Sequence, residues 1–441
     1  MKKSRKLGRL EQTMELLNSR AKTWNIITIS RITGNLQEQT LQKSLDILRY
    51  HHPQLNYCIV HDKNGFYFQN TTYQISVQVV EKSTVEEWQD VVNLEMNQAI
   101  ESDKILMRVV LVHILNEENI NYLITTLHHA IADGLSSIKL HSEILNHCQK
   151  IMSGEMIPPD PPLTTLPPVE ELLPNWTKAF RGKIINLIFL LKLALQELIN
   201  PPKTLGFERY AAIPQRDCYI IHKQINPEIM QNFIQKCRQE KTTVHSALCV
   251  AGMFTIAREI MNHNQKSVKI SCLSHVDLRQ RLTPHISEEN LAALATSMLD
   301  FYTLKTHTSF WNLARKVKQN IDINIQSNDI FKMVLIAKLL IEFCLFFPQK
   351  VAATVSLSNV GKVNIPTNYG DLKLEEISFA GSSSFYAGMF IMHAATFQEK
   401  MLLNFVFSHP SISQKTMELL VNNFLDCISN VSSSSVDFVL I

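Results

Sequence analysis

Two periods of apolar and polar positions run along this chain, and each switch between them marks an element. Leu41, Leu45 and Leu48 recur at intervals of four and three, which predicts a helix over residues 36–50 with one buried stripe. The same spacing predicts helices over 85–100, 227–239, 244–262, 310–326 and 413–431. Short runs rich in β-branched and apolar residues read as strands at 55–60, 105–115, 122–127, 268–276, 351–358, 390–395 and 402–407. The polar Asn116-Glu117-Glu118-Asn119 between two of these predicts a hairpin.

Prolines interrupt this alternation at one place. Pro158, Pro159, Pro161, Pro162, Pro167, Pro168 and Pro174 make a segment that can be neither helix nor central strand. Similar element content on both sides predicts two α/β halves: residues 1–157, a Pro-rich linker with an apolar helix at 158–204, and 205–441. No repeat of fixed period is visible.

Two apolar runs test for a membrane span. Residues 184–199 contain Asn186, Lys192, Gln196 and Glu197 and stop at Pro201-Pro202. Residues 331–347 contain Lys332, Lys338 and Glu342. Both fall short of the roughly 20 apolar residues a crossing helix requires, so no span is expected. The first run follows Lys178, Arg181 and Lys183. Two readings stand: a helix buried against the second half, or one lying on a lipid surface or covering an apolar tunnel.

Composition narrows the class. With 441 residues and 45% apolar content the chain has ample core for two domains or one large one. A net charge of +3 offers no footprint for nucleic acid. The basic cluster Lys2, Lys3, Arg5, Lys6 and Arg9 is followed at once by Glu11, Gln12 and Glu15, not by the apolar stretch of a signal peptide. Eight cysteines are scattered without a Cys-x-x-Cys pair, so reduced thiols in a cytoplasmic protein are expected, with peripheral membrane contact open. His51-His52, His141 and His147 show no metal-site partners by spacing, and no metal or cofactor is expected.

The most specific chemistry lies at His128-His129-Ala130-Ile131-Ala132-Asp133-Gly134. A strand-like stretch precedes it, and Leu135, Ile138, Ser142 and Leu145 follow at helical spacing. A histidine at a strand end is held by the sheet yet projects into open space, and imidazole accepts a proton near neutral pH. Asp133 cannot share a strand face with His129, and is better placed to fold back into an ion pair. An ordinary Asp-Gly turn is the plainer alternative.

This run resembles the HHxxxDG motif of the acyltransferase superfamily of peptide condensation domains, polyketide-associated acyltransferases, plant alcohol acyltransferases and wax-ester synthases. His52-Pro53-Gln54-Leu55, Val276-Asp277-Leu278-Arg279-Gln280-Arg281-Leu282 and Leu357-Ser358-Asn359-Val360-Gly361 are similar to further elements of that superfamily, in order along nearly the whole chain. The resemblance implies two domains shaped like chloramphenicol acetyltransferase, meeting at a cleft. It implies acyl transfer from a thioester, acyl-CoA or acyl-carrier protein, to an alcohol or amine, with His129 as general base and His128 in support. A packed strand-end histidine is an equal reading of His128.

By the same resemblance Asp133 pairs with an arginine of the second domain, which Arg279 matches; Arg281 competes. Gly134 opens the helix, either admitting backbone N–H groups to a developing oxyanion or serving as a steric turn glycine. Ser358 and Asn359 either donate hydrogen bonds to substrate or form a turn, and Arg108 resembles a structural arginine of the family. The absence of Gly-x-Ser-x-Gly favours direct transfer without an acyl-enzyme. The Asp-Phe-Gly-Trp-Gly loop of the plant branch is also absent. A lipophilic substrate is expected from the two apolar runs. The alternatives are a free-standing condensation enzyme using carrier-bound substrates and a silent binding protein of the same fold. A glycerophosphate acyltransferase reading of His128-x4-Asp133 lacks the Glu-Gly-Thr block it requires.

Overall fold

The computed structural model describes residues 3–117, 119–158, 160–261, 265–433 and 437–440. Lys2, Glu118, Pro159 and Asn262, named above, lie outside the described residues. The chain folds into two compact units. Unit 1 is Met1–Leu172 with Arg279–Leu294 and Lys362–Ser382; unit 2 is Leu173–Leu278, Ala295–Gly361 and Ser383–Ile441. The linear division expected at 158–204 therefore leaves out two segments that come from beyond the linker and belong to unit 1.

Unit 1 contains β1 (Lys3–Lys6), α1 (Arg9–Ala21), β2 (Asn25–Thr33), α2 (Glu38–His51), β3 (Tyr57–Asp62), β4 (Gly65–Asn70), β5 (Val77–Lys82) and α3 (Trp88–Met96). It continues with β6 (Met107–Ile114), β7 (Ile120–His128), α4 (Gly134–Met152) and α5 (Val169–Leu172), then β12 (Asn368–Tyr369) and β13 (Leu372–Gly381) from later in the chain. Its large sheet has the order β12-β13-β2-β7-β6-β5, mixed because β5 runs parallel to β6. The strand β13 enters by pairing antiparallel with β2, from Lys373 opposite Thr33 to Gly381 opposite Ile26. A second sheet is β1-β4-β3.

Central strand β7 is buried from Asn121 to His128 because helices cover both faces. Thr125 and Thr126 point to opposite faces, as successive strand residues must. Thr125 Oγ1 meets His141 of α4 at 2.7 Å, and Thr126 Oγ1 donates to Glu95 Oε2 of α3 at 2.6 Å.

Unit 2 contains α6 (Phe180–Ile199), β8 (Asp217–Ile225), α7 (Pro227–Gln239), α8 (Val244–Ile260), β9 (Ser267–Asp277) and β10 (Ala295–Lys305). It also holds α9 (Phe310–Gln326), α10 (Asp329–Phe346), β11 (Val355–Lys362), β14 (Phe390–Phe397), β15 (Lys400–His409) and α11 (Gln414–Ser433). Its sheet order is β10-β9-β11-β14-β15-β8, with β11 parallel to β9. Helix α8 is buried continuously from Ser246 to Ala257, and Phe254, Phe390, Phe405 and Phe424 fill the core around it.

The expected hairpin is present, with β6 antiparallel to β7. Several boundaries move. The helix expected over 85–100 begins as a 3-10 turn, Val85–Glu87, and α3 ends at Met96. The strand expected from residue 55 starts at Tyr57, since Pro53–Asn56 forms a 3-10 turn that a fixed proline φ favours. The run 184–199 lies within α6, and the reading of it as a wholly buried helix is revised: Leu193 packs with Met333 and Ile336, while Ile188 and Leu191 on the other side are exposed. No helix among the described residues is long and apolar enough to cross a membrane. None of the eight cysteines is in a disulfide; seven are buried and Cys344 is half-buried.

Candidate active site

Strand β7 delivers His128 as its last residue, and the chain then turns directly into α4. Ile131 N–H donates to the His128 carbonyl at 3.0 Å and closes the turn. Asp133 caps the helix: its Oδ1 accepts from Ser136 N–H at 3.0 Å, and Ser136 Oγ accepts in return from Asp133 N–H at 3.1 Å. Such a reciprocal cap satisfies N–H groups the first helical turn would otherwise leave open. The turn is therefore rigid on both sides of His129.

His129 is half-buried, and its Nδ1 lies 2.7 Å from the Ala132 carbonyl oxygen. A carbonyl only accepts, so the proton sits on Nδ1 and Nε2 carries the lone pair. Burial holds the imidazole below its ordinary pKa of 6.5, against the opposing pull of the Ala132 carbonyl and the Asp133 carboxylate. The ring is thus neutral at pH 7 with one basic nitrogen. The Trp24 ring stands T-shaped to it at 5.8 Å between centroids.

His128 is wholly buried and aimed elsewhere. Its Nδ1 accepts from Ala130 N–H at 3.1 Å, and Nε2 donates to Glu15 Oε2 of α1 at 3.0 Å. Glu15 Oε1 in turn accepts from Ser102 Oγ at 2.9 Å. Both ring nitrogens are used internally, which leaves neither for a substrate.

Asp133 Oδ2 accepts from Arg279 Nη1 at 2.7 Å and from Leu294 N–H at 3.0 Å. Burial alone would raise this carboxyl, but the Arg279 guanidinium outweighs it and holds the group below the usual carboxylate range. Arg279 is fully buried, whereas the competing Arg281 is exposed. Because the segment Arg279–Leu294 belongs to unit 1, the pair lies within that unit, not between two units as expected. At Gly134 the constraint is steric: a Cβ there would meet Phe379 Cε2 at 2.6 Å.

Residues 12–165 match the Condensation domain family, and residues 222–411 match the family of phthiocerol/phthiodiolone dimycocerosyl transferase C-termini. The chain belongs to the superfamily of condensation domains and polyketide-associated acyltransferases. Solved structures show the same fold at low identity. Polyketide synthase associated protein 5 from Mycobacterium tuberculosis is 16% identical with a TM-score of 0.72, over 97% of this chain and 98% of that one. The trichothecene 15-O-acetyltransferase of Fusarium sporotrichioides is 11% identical with a TM-score of 0.76, over 97% and 95%. The first condensation domain of the CDA synthetase is 12% identical with a TM-score of 0.74, over 99% and 98%. No curated protein sequence matches the chain. Members of this superfamily move acyl groups, so acyl transfer is the general chemistry of the chain.

The remaining family positions fall as follows. Ser358 and Asn359 lie on β11 in unit 2, and Asn359 Oδ1 accepts from Gly361 N–H at 2.8 Å, closing a local turn at a glycine with φ +75°. Arg108 donates to Glu95 Oε2 at 2.9 Å and to the Ala99 carbonyl at 3.0 Å, tying β6 to the end of α3. The expectation that His51 and His52 lack a third partner is corrected: Glu143 of α4 brings a ligand atom within 4.8 Å of both. Its Oε2 already meets His52 Nε2 at 2.6 Å, which fastens α2 to α4.

Trp24 and Glu15 were not foreseen from sequence. Trp24 sits at φ +65°, a left-handed backbone that strains a bulky side chain. Ser382 holds it there: its carbonyl accepts from Trp24 N–H at 2.9 Å, and its Oγ from Asn25 N–H at 3.0 Å. Only the fold brings residues so far apart in sequence together.

Proposed function

We propose that the chain transfers an acyl group from a thioester, acyl-CoA or acyl-carrier protein, to an alcohol or amine, with His129 as the general base. The observation that carries this reading is the tautomer that the Ala132 carbonyl imposes, with a neutral ring presenting Nε2. Nε2 takes the acceptor's proton while its oxygen or nitrogen attacks the thioester carbonyl carbon. The new C–O or C–N bond forms first, giving a tetrahedral intermediate. The C–S bond then breaks, and the thiolate recovers the proton from the imidazolium. A positioned base of this kind contributes about 10² to 10⁴ in rate. Neither a metal nor a bound cofactor takes part, and the donor thioester is a substrate.

Asp133 and Arg279 are positioning residues in this scheme, since they fix the start of α4 beside the base. His128, with both nitrogens engaged, supports the strand end and does not touch substrate. Ser358 and Asn359 would serve as hydrogen-bond donors to the substrate. The apolar runs within α6 and α10 support a lipophilic donor, at about 0.8 kcal/mol for each methylene buried.

The test is single-turnover transfer from a series of acyl-CoAs and acyl-carrier proteins, from acetyl to long chains, to alcohols and amines. Efficiency rising with chain length supports the lipophilic reading, and acetyl as best donor overturns it. Transfer that survives His129→Ala removes the base from the scheme.

A further inference from the structure

Helix α6 has two apolar faces, and α10 packs against one of them. Phe189, Leu190 and Leu193 turn inward onto Met333, Ile336 and Leu340 of α10. On the opposite side Ile184, Ile188, Leu191, Leu195 and Leu198 follow the i, i+4, i+7, i+11, i+14 spacing of a single helical stripe, and all five are exposed. Their exposure is substantial: 60% for Ile188 and 73% for Leu198, with 79% for the neighbouring Ile199. Helix α10 leaves a second stripe of the same kind at Leu339, Phe343 and Phe346, the last 78% exposed. Scattered exposed apolar residues are ordinary, but contiguous stripes on two packed helices mark a surface that meets an apolar partner.

Charge identifies the partner. Residues 178–199 carry Lys178, Arg181, Lys183 and Lys192 against Glu197, four cations to one carboxylate, a net charge of +3. A second copy docking by this face would set that segment against itself, since a two-fold interface apposes the same patch on both subunits. An anionic lipid surface satisfies both features at once: apolar side chains enter the acyl boundary while lysines reach up to the headgroups. We propose that the α6–α10 face of unit 2 docks the protein on anionic bilayers as an interfacial, non-spanning surface. The proposal is independent of the catalytic reading, because it is measured without any acyl transfer.

The experiment is co-sedimentation of the full chain with vesicles of phosphatidylcholine alone and of phosphatidylcholine with phosphatidylglycerol, at low and high salt. Three forms are compared: wild type, the pair Ile188→Asp with Leu191→Asp, and the pair Lys178→Glu with Lys192→Glu. Circular dichroism and melting temperature establish that each is folded; a variant that misfolds is replaced by Leu195→Asp alone, at another exposed site. The expected result is partition of wild type onto anionic vesicles at least tenfold above neutral ones. The aspartate pair should lower that partition at least tenfold, and the glutamate pair severalfold with loss of the salt dependence. Wild type that stays in the supernatant with anionic vesicles overturns the proposal, as does an aspartate pair that partitions like wild type. So does a wild-type dimer that the aspartate pair dissociates without any vesicle binding, which would assign the face to a second copy.

Discussion

Each unit contains an interior strand that ends in histidine and turns into a long helix, and the two turns are built differently. In unit 1 the neighbours run β2-β7-β6, with His128 opposite Asn25, and the turn leads to α4. In unit 2 they run β8-β15-β14, with His409 opposite Asp217, and the turn Pro410-Ser411-Ile412-Ser413 leads to α11. Both helices are capped, by Asp133 and by Ser413, whose Oγ accepts from Thr416 N–H at 3.3 Å. There the likeness stops. His409 is exposed and stands T-shaped to the Tyr219 ring at 5.8 Å between centroids, whereas His129 is fixed by a carbonyl within its own turn.

The helices behind the turns differ in the same sense. Helix α11 buries Met417, Leu420, Val421, Phe424, Cys427, Ile428 and Val431, without a polar residue among them. Helix α4 buries Ser136, Ser137, His141, Ser142 and His147 among its apolar ones. His141 bridges Ser30 and Thr125, both at 2.7 Å, and burial pushes its pKa down to about 3, so it serves as a neutral two-way hydrogen-bonding post. Thr28 donates to Ser137 at 2.7 Å, and Ser142 meets Tyr369 at 2.8 Å. An apolar core tolerates sliding, but a satisfied polar one specifies a single register. The strand-to-helix turn recurs in both units, and the fixed register belongs to the unit that carries His129.

The largest expected effect separates the two histidines. His129→Ala should lower single-turnover transfer by about 10² to 10⁴ with its melting temperature kept. His409→Ala should leave transfer unchanged. Equal losses in the two variants would mean that the comparison assigns the chemistry to the wrong turn.

Next are the two caps. Asp133→Ala strands the buried Arg279 guanidinium and should cost about 3–5 kcal/mol, as should Arg279→Ala, with the double mutant well short of the sum. Ser413→Ala removes an uncharged cap, the hydroxyl that Thr416 N–H donates to and that donates to Thr416 Oγ1, and should cost about 0.5–2 kcal/mol. Chemical denaturation of the four variants measures the difference. A strictly additive Asp133–Arg279 cycle would contradict the 2.7 Å contact between them.

These contrasts also show what sequence can carry. The turn from His128 to Gly134 was legible because its decisive contacts span two to four residues, so spacing alone encodes them. The helices α7 and α9 were legible at both ends, since their apolar residues repeat at one period. The strand β2 was not: covered on both faces, it mixes Ile26, Ile27 and Ile29 with the buried Thr28 and Ser30 that face α4, and shows neither period. Trp24, anchored by Ser382, and Glu15, 113 positions from His128, depend on chain crossings that no local pattern records. Arg279 was legible as a partner by resemblance, but not that its segment folds into unit 1.

A smaller effect is expected at Gly134. A Cβ there would press on the Phe379 ring, so Gly134→Ala should cost about 1–3 kcal/mol. Phe379→Leu should relieve part of that cost when combined with it, giving a double mutant more stable than the sum of the two. If Gly134→Ala is neutral in denaturation but abolishes transfer, the glycine serves the oxyanion and not the packing.

The smallest effect is in pH dependence, and it bears on why the first turn encloses its histidine. Free imidazole with a pKa near 6.5 would be partly protonated just below neutrality and lost as a base there. Burial depresses the pKa of His129, so protonation, and with it the loss of the base, is displaced to lower pH. The rate constant kcat/KM should therefore fall with a slope of one proton about a midpoint below 6.5, holding its plateau to lower pH than a free imidazole would. A profile measured with a donor and acceptor that do not titrate in this range reads the inflection directly. An inflection at or above 6.5 would show that enclosure in the turn does not tune the base, leaving the Ala132 carbonyl to act only through geometry.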